Sequence, residues 1–104
     1  MVRLARPTGD EDMNATRQEV YAAIDDEREY QQIRWNEHTT VSGGHHPPEA
    51  WIVYMENYLA EAKQILSRGE QQEAYLEAMH ILRKVTALGV AAMEDHGAPL
   101  REWT

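Results

Sequence analysis

Apolar residues recur at helical spacing in two long runs separated by a polar break. The first run takes in Trp51, Ile52, Met55, Tyr58, Leu59, Ala62, Ile65 and Leu66, close to an i, i+3, i+4, i+7 pattern. It stops at Ser67-Arg68-Gly69 and resumes as Tyr75, Ala78, Met79, Leu82, Val85, Thr86, Gly89, Ala92 and Met93. Helices are therefore expected over 48–67 and 71–96. Pro48 suits a first helical turn, because its missing N–H has no partner there anyway. Glu49 sits well against the helix dipole. Gly69 is a natural stop for one helix, and Gly97 with Pro99 for the next. So short a gap makes the two helices an antiparallel hairpin. Glu73, Glu77, His80 and Lys84 fall nearly opposite the second stripe and read as a solvated face with i, i+4 charge pairing.

Upstream the stripe is thinner. Val20, Ala23, Ile24 and Glu27, then Tyr30, Ile33 and Arg34, predict a helix over 16–36. Thr16 with Glu19 forms a capping box at its start. Gly43-Gly44 and Pro47-Pro48 make residues 38–48 a loop. Period-2 alternation is missing throughout, so no β-sheet is expected. The fold class is all-α: three main helices, with a long antiparallel hairpin of helices 2 and 3. Residues 1–13 read as a flexible arm, 14–97 as one helical domain and 98–104 as a short tail. Leu88, Val90, Ala91 and Ala92 make helix 3 apolar on nearly all sides. That predicts a homodimer whose twofold interface includes helix 3.

Composition narrows the function. The chain has 104 residues, enough for one modest core. It lacks Cys, so thiolate metal sites and disulfides are excluded. A net charge of -8 with no basic run argues against duplex nucleic acid, which needs clustered Lys and Arg. No apolar run approaches the roughly 20 residues of a membrane span, and Met1 to Asp12 lacks a signal-peptide core. The expected location is the cytoplasm.

Candidate chemistry is sparse. Mg²⁺ takes several oxygen ligands in octahedral array, and carboxylates at i, i+3 on two facing helices would make such a site. Here Glu56 and Glu61 are five apart and so on different faces, while Glu77-x-x-His80 stands as a single copy. Those four residues are the candidate metal ligands. His45-His46, with His38 nearby, lacks the further donors of a closed Zn²⁺ site. Trp51, Tyr54 and Tyr58 share one flank of helix 2; they read either as core or as a stacking surface for a nucleotide base.

One resemblance runs through residues 17–96. It rests on Glu27-Arg28-Glu29-Tyr30-Gln31-Gln32-Ile33-Arg34-Trp35, His46-Pro47-Pro48-Glu49-Ala50-Trp51, Tyr58-Leu59-Ala60-Glu61-Ala62-Lys63 and the Ala/Val-rich stretch from Leu82 to Glu94. In this order and spacing the chain resembles the small phage and prophage type of MazG-like all-α nucleoside triphosphate pyrophosphohydrolases. The resemblance implies a helical bundle completed by dimerisation and Mg²⁺ held by a Glu-x-x-Glu and a Glu-x-x-Asp. Carried over, the first motif falls on Tyr58-x-x-Glu61. The second falls near Ile81-x-x-Lys84, or on Glu77-x-x-His80 with a one-turn slip. Only Glu61 is retained, and a Lys where a ligand carboxylate belongs repels a cation. The expectation is a non-catalytic accessory protein that binds a partner protein or a nucleotide. The rivals are a Mg²⁺-dependent pyrophosphohydrolase with rearranged ligands, and an acidic inhibitor of a host or defence protein.

Overall fold

A computed structural model describes residues 14–68 and 71–103; the expected arm over 1–13 lies outside them. The described residues form three helices, α1 (Arg17–Arg34), α2 (Pro48–Ser67) and α3 (Gln72–His96), with no strand among them. The capping box closes as its spacing requires. Glu19 N–H donates to Thr16 Oγ1 at 3.1 Å, and Thr16 N–H donates to Glu19 Oε1 at 2.8 Å. α1 ends two residues before the expected 36 because Asn36 competes with the helix for its own backbone. Its Nδ2 donates to the carbonyls of Gln32 and Ile33, and its Oδ1 accepts from His38 N–H at 2.7 Å. Gly97, at φ 106°, ends α3 with its N–H on the Met93 carbonyl.

α2 and α3 pack along their length as the expected hairpin, and α1 packs on α3 with no close backbone approach to α2. The core lies between the two long helices. One cluster is Trp51, Leu88 and Ala91; the other is Ile65, Ile81 and Val85. Met55 and Tyr58 pack against both.

The inner face of α3 differs from the expected stripe. Ala78, Ile81, Val85, Ala87, Leu88 and Ala91 are buried, whereas Tyr75, Met79, Leu82 and Met93 are each about half exposed. α3 serves two neighbours lying to one side of the expected stripe, and its apolar residues extend far enough round for either face to read as core. Leu88 and Ala91 therefore need no second chain to cover them, and Ala92 packs beside them. The face bearing His80 and Lys84 is not wholly solvated, since both are half-buried. α1 also docks differently. Val20, Tyr30 and Ile33 are exposed, and the buried residue is Gln31. Its seam is polar: Arg28 Nε donates to Glu94 at 2.8 Å, Arg83 Nε to Glu27 at 2.8 Å, and Gln31 Nε2 to the Lys84 carbonyl at 3.2 Å.

Candidate functional site

α1 and α2 stand on two flanks of α3, and the gap between them is a cleft of about 740 Å³. The loop from Trp35 to His46 forms its end wall. Trp51, Tyr54, Asn57 and Tyr58 line it from α2, and Lys84, Leu88 and Ala91 from α3. Glu27, Arg28, Gln31, Gln32 and Arg34 line it from α1.

The three aromatics proposed as a stacking surface thus share one cavity. Trp51 is buried, Tyr58 is partly buried against both core clusters, and Tyr54 is 40% exposed. The two readings of these residues merge, because the inner edge of the flank packs in the core and the outer edge walls the cleft. His46 stands edge-on to Trp51 at 4.9 Å and to Tyr54 at 5.1 Å between ring centroids. The rings are thereby held in fixed orientation.

Charge in the cleft runs against that of the protein. Its one lining carboxylate among the described residues, Glu27, is 10% exposed and neutralised by Arg83. Arg28 is committed to Glu94 and Gln32. Lys84 Nζ and the Arg34 guanidinium pair with no carboxylate among the described residues. Each lies instead over an aromatic face: Lys84 at 5.9 Å from the Tyr58 centroid and Arg34 at 5.6 Å from that of Trp35. Two cations without counter-charge beside aromatic walls suit a planar anion.

Asp95 fastens the end wall. Its carboxylate accepts from His46 N–H at 3.1 Å, His45 Nδ1 at 2.9 Å and Trp51 Nε1 at 3.2 Å. An ionised carboxylate only accepts, so His45 carries a proton on Nδ1. The His46 N–H, then the His45 side chain, hold the Asp95 carboxyl down at about 2, against an ordinary value of 3.8. His96 Nε2 donates to the His46 carbonyl at 2.6 Å, adding a second tie. His45-His46 is thus a fastening of the loop.

The candidate metal ligands do not share the cleft. Glu56, Glu61 and Glu77 are exposed. His80 accepts from Arg83 at Nδ1, 2.6 Å away, so that nitrogen is occupied. No group of three or more His, Asp or Glu side chains able to hold a metal ion converges among the described residues. Those residues also include no helix long and apolar enough to cross a membrane. Gln31, Arg34 and Asp95 were missed as site residues. Asp95 meets its partners 44 to 50 positions away in sequence, and no local pattern marks that pairing.

Comparison with protein-family models, curated proteins and solved structures gives no match.

Proposed function

We propose that this protein is a non-catalytic binding module whose cleft takes a nucleotide. In this reading the base lies against Tyr54 and Tyr58 and the phosphate meets Lys84 and Arg34. The observation that carries it is the pairing of an aromatic wall with two uncompensated cations, in a chain whose net charge is -8. Stacking tolerates any base, and each stacked base contributes about 1–3 kcal/mol. The MazG-like resemblance supports the same assignment. Where such enzymes hold a metal-binding carboxylate this chain has Lys84, whose ammonium would supply positive charge to a phosphate without Mg²⁺. A metal enzyme must bridge cation to phosphate oxygens and activate a water, and Glu56, Glu61, Glu77 and His80 do not line the cleft, whose carboxylate Glu27 is paired with Arg83.

The test is pyrophosphate release from a panel of NTPs and dNTPs with Mg²⁺ or Mn²⁺, alongside a thermal-shift screen without metal. The expected result is no turnover and a raised melting temperature with at least one nucleotide. Turnover that disappears in Glu61→Gln would instead establish the pyrophosphohydrolase reading.

We further propose that the working unit is a homodimer, formed through the back of the hairpin and not through the residues first expected. Tyr54 and Asn57 face the cleft, so Ile52, Leu59 and Leu66, at i, i+7, i+14, occupy the opposite flank of α2. By the same wheel argument Tyr75, Met79, Leu82 and Met93 turn away from Lys84 and Leu88. The two stripes share one side of the hairpin. These seven side chains are 41–54% exposed. They leave on the order of 600 Å² of apolar surface, close to the roughly 800 Å² per partner of a standard interface. A second copy fits best, because two uncharged stripes on antiparallel helices match themselves across a twofold axis.

A further inference from the structure

The positive charge free to meet a ligand in the cleft is small. Among the described residues its lining Arg and Lys are Arg28, Arg34 and Lys84. Arg28 is held by Glu94 and Gln32, which leaves Lys84 and Arg34. The carboxylates that touch the lining residues are engaged as well. Glu27 is paired with Arg83 and Glu94 with Arg28, while Asp95 accepts from His45, His46 and Trp51.

We infer that the cleft takes a nucleoside monophosphate in preference to the di- and triphosphates of the same nucleoside. This rests on the nucleotide reading above and adds to it the number of phosphates. A phosphate monoester carries about -1.5 to -2 charge at neutral pH, which the two free cations match. Lys84 Nζ lies 5.9 Å from the Tyr58 centroid. The cation therefore stands beside the stacking wall, where it meets the phosphate nearest the base. Each further phosphoryl group adds negative charge, and no lining Lys or Arg is left to receive it. That charge enters beside Glu27, Glu94 and Asp95, on a chain of net charge -8. Like charges set against each other in this way oppose association. Mg²⁺ ordinarily relieves a polyphosphate by bridging it to protein carboxylates. Here the neighbouring carboxylates already have partners, and no three His, Asp or Glu side chains converge on a metal position among the described residues.

The test is calorimetry on the full chain in EDTA, at fixed ionic strength. Each common nucleoside is compared with its own mono-, di- and triphosphate. In at least one series the monophosphate should bind at least fivefold tighter than the triphosphate, and at least thirtyfold tighter than the nucleoside, as about 2 kcal/mol from a charge-assisted contact requires. The advantage over the nucleoside should shrink at least tenfold in Lys84→Ala. A monophosphate preference below fivefold in every series that binds, or a di- or triphosphate that binds tighter, would overturn the inference while leaving the cleft a nucleotide site. An advantage over the nucleoside that survives in Lys84→Ala would overturn it equally, because the matched charge would not be its cause. If no ligand in any series binds wild-type protein, the nucleotide reading itself fails and the inference with it. Arg34→Gln, at an exposed position, repeats the comparison if Lys84→Ala does not fold.

Discussion

Asp95 shows how one side chain can organise a wall of the site. Its carboxylate joins the end of α3 to the loop and to the Trp51 indole. Its pKa is lower folded, at about 2, than the ordinary 3.8 expected unfolded, so the ionised form is the one that stabilises. The sign follows by linkage. The contribution is complete above the unfolded value and is lost as pH falls from about 4 through about 2. Urea unfolding of wild type and Asp95→Asn should therefore show wild type the more stable at pH 7, with the gap closing between pH 4 and pH 2. A gap unchanged over that range would mean that the carboxylate charge does not hold the loop. Gly44 is the neighbouring constraint. At φ +82° an added Cβ would lie 2.9 Å from the Trp35 carbonyl oxygen, so this turn against the end of α1 needs a glycine.

At the scale of elements the three helices differ in how firmly they are held. α2 and α3 share an apolar core, whereas α1 is joined to α3 by two ion pairs and one amide, with Ile24 its most covered apolar residue after the polar seam. Hydrogen exchange should therefore release α1 amides well before those at the centre of α2 and α3. Equal protection across all three helices would contradict this. Arg83→Ala should loosen α1 further, because it strands Glu27, which is 10% exposed. Leaving such a charged acceptor unpaired costs about 1–3 kcal/mol, to be read by chemical denaturation. The existence of the helices was legible in the sequence, because caps and 3.6-residue periodicity are local signals. The docking face of α1 was not. Its exposed apolar residues Val20, Tyr30 and Ile33 read as an inner stripe, while the residue that is buried is a glutamine. On α3 the surplus of apolar residues let an exposed face, from Tyr75 to Met93, stand in for the inner one.

For the whole molecule, the arrangement around α3 separates two surfaces. The cleft between α1 and α2 carries aromatics and uncompensated cations, and the back of the hairpin carries uncharged apolar stripes. Leu82→Glu and Met79→Glu place charges on that back face without touching the buried core. Light scattering should give a dimer mass for wild type at micromolar concentration and a monomer mass for the double variant, with helical content retained. A wild-type monomer would remove the proposed interface. That Trp51, Tyr54 and Tyr58 share one wall was legible, because they lie on one flank of one helix. The cations facing it were not, because Lys84 and Arg34 reach the cleft from other helices and their meeting depends on how α1 docks. The measurement that bears most directly on the binding-module account is isothermal titration of a nucleoside monophosphate panel in EDTA, on wild type and Lys84→Ala. The account predicts binding of at least one nucleotide without metal, weakened about 10- to 100-fold in Lys84→Ala, as loss of a charge-assisted contact requires. No binding by any nucleotide, or binding indifferent to Lys84→Ala, would contradict it.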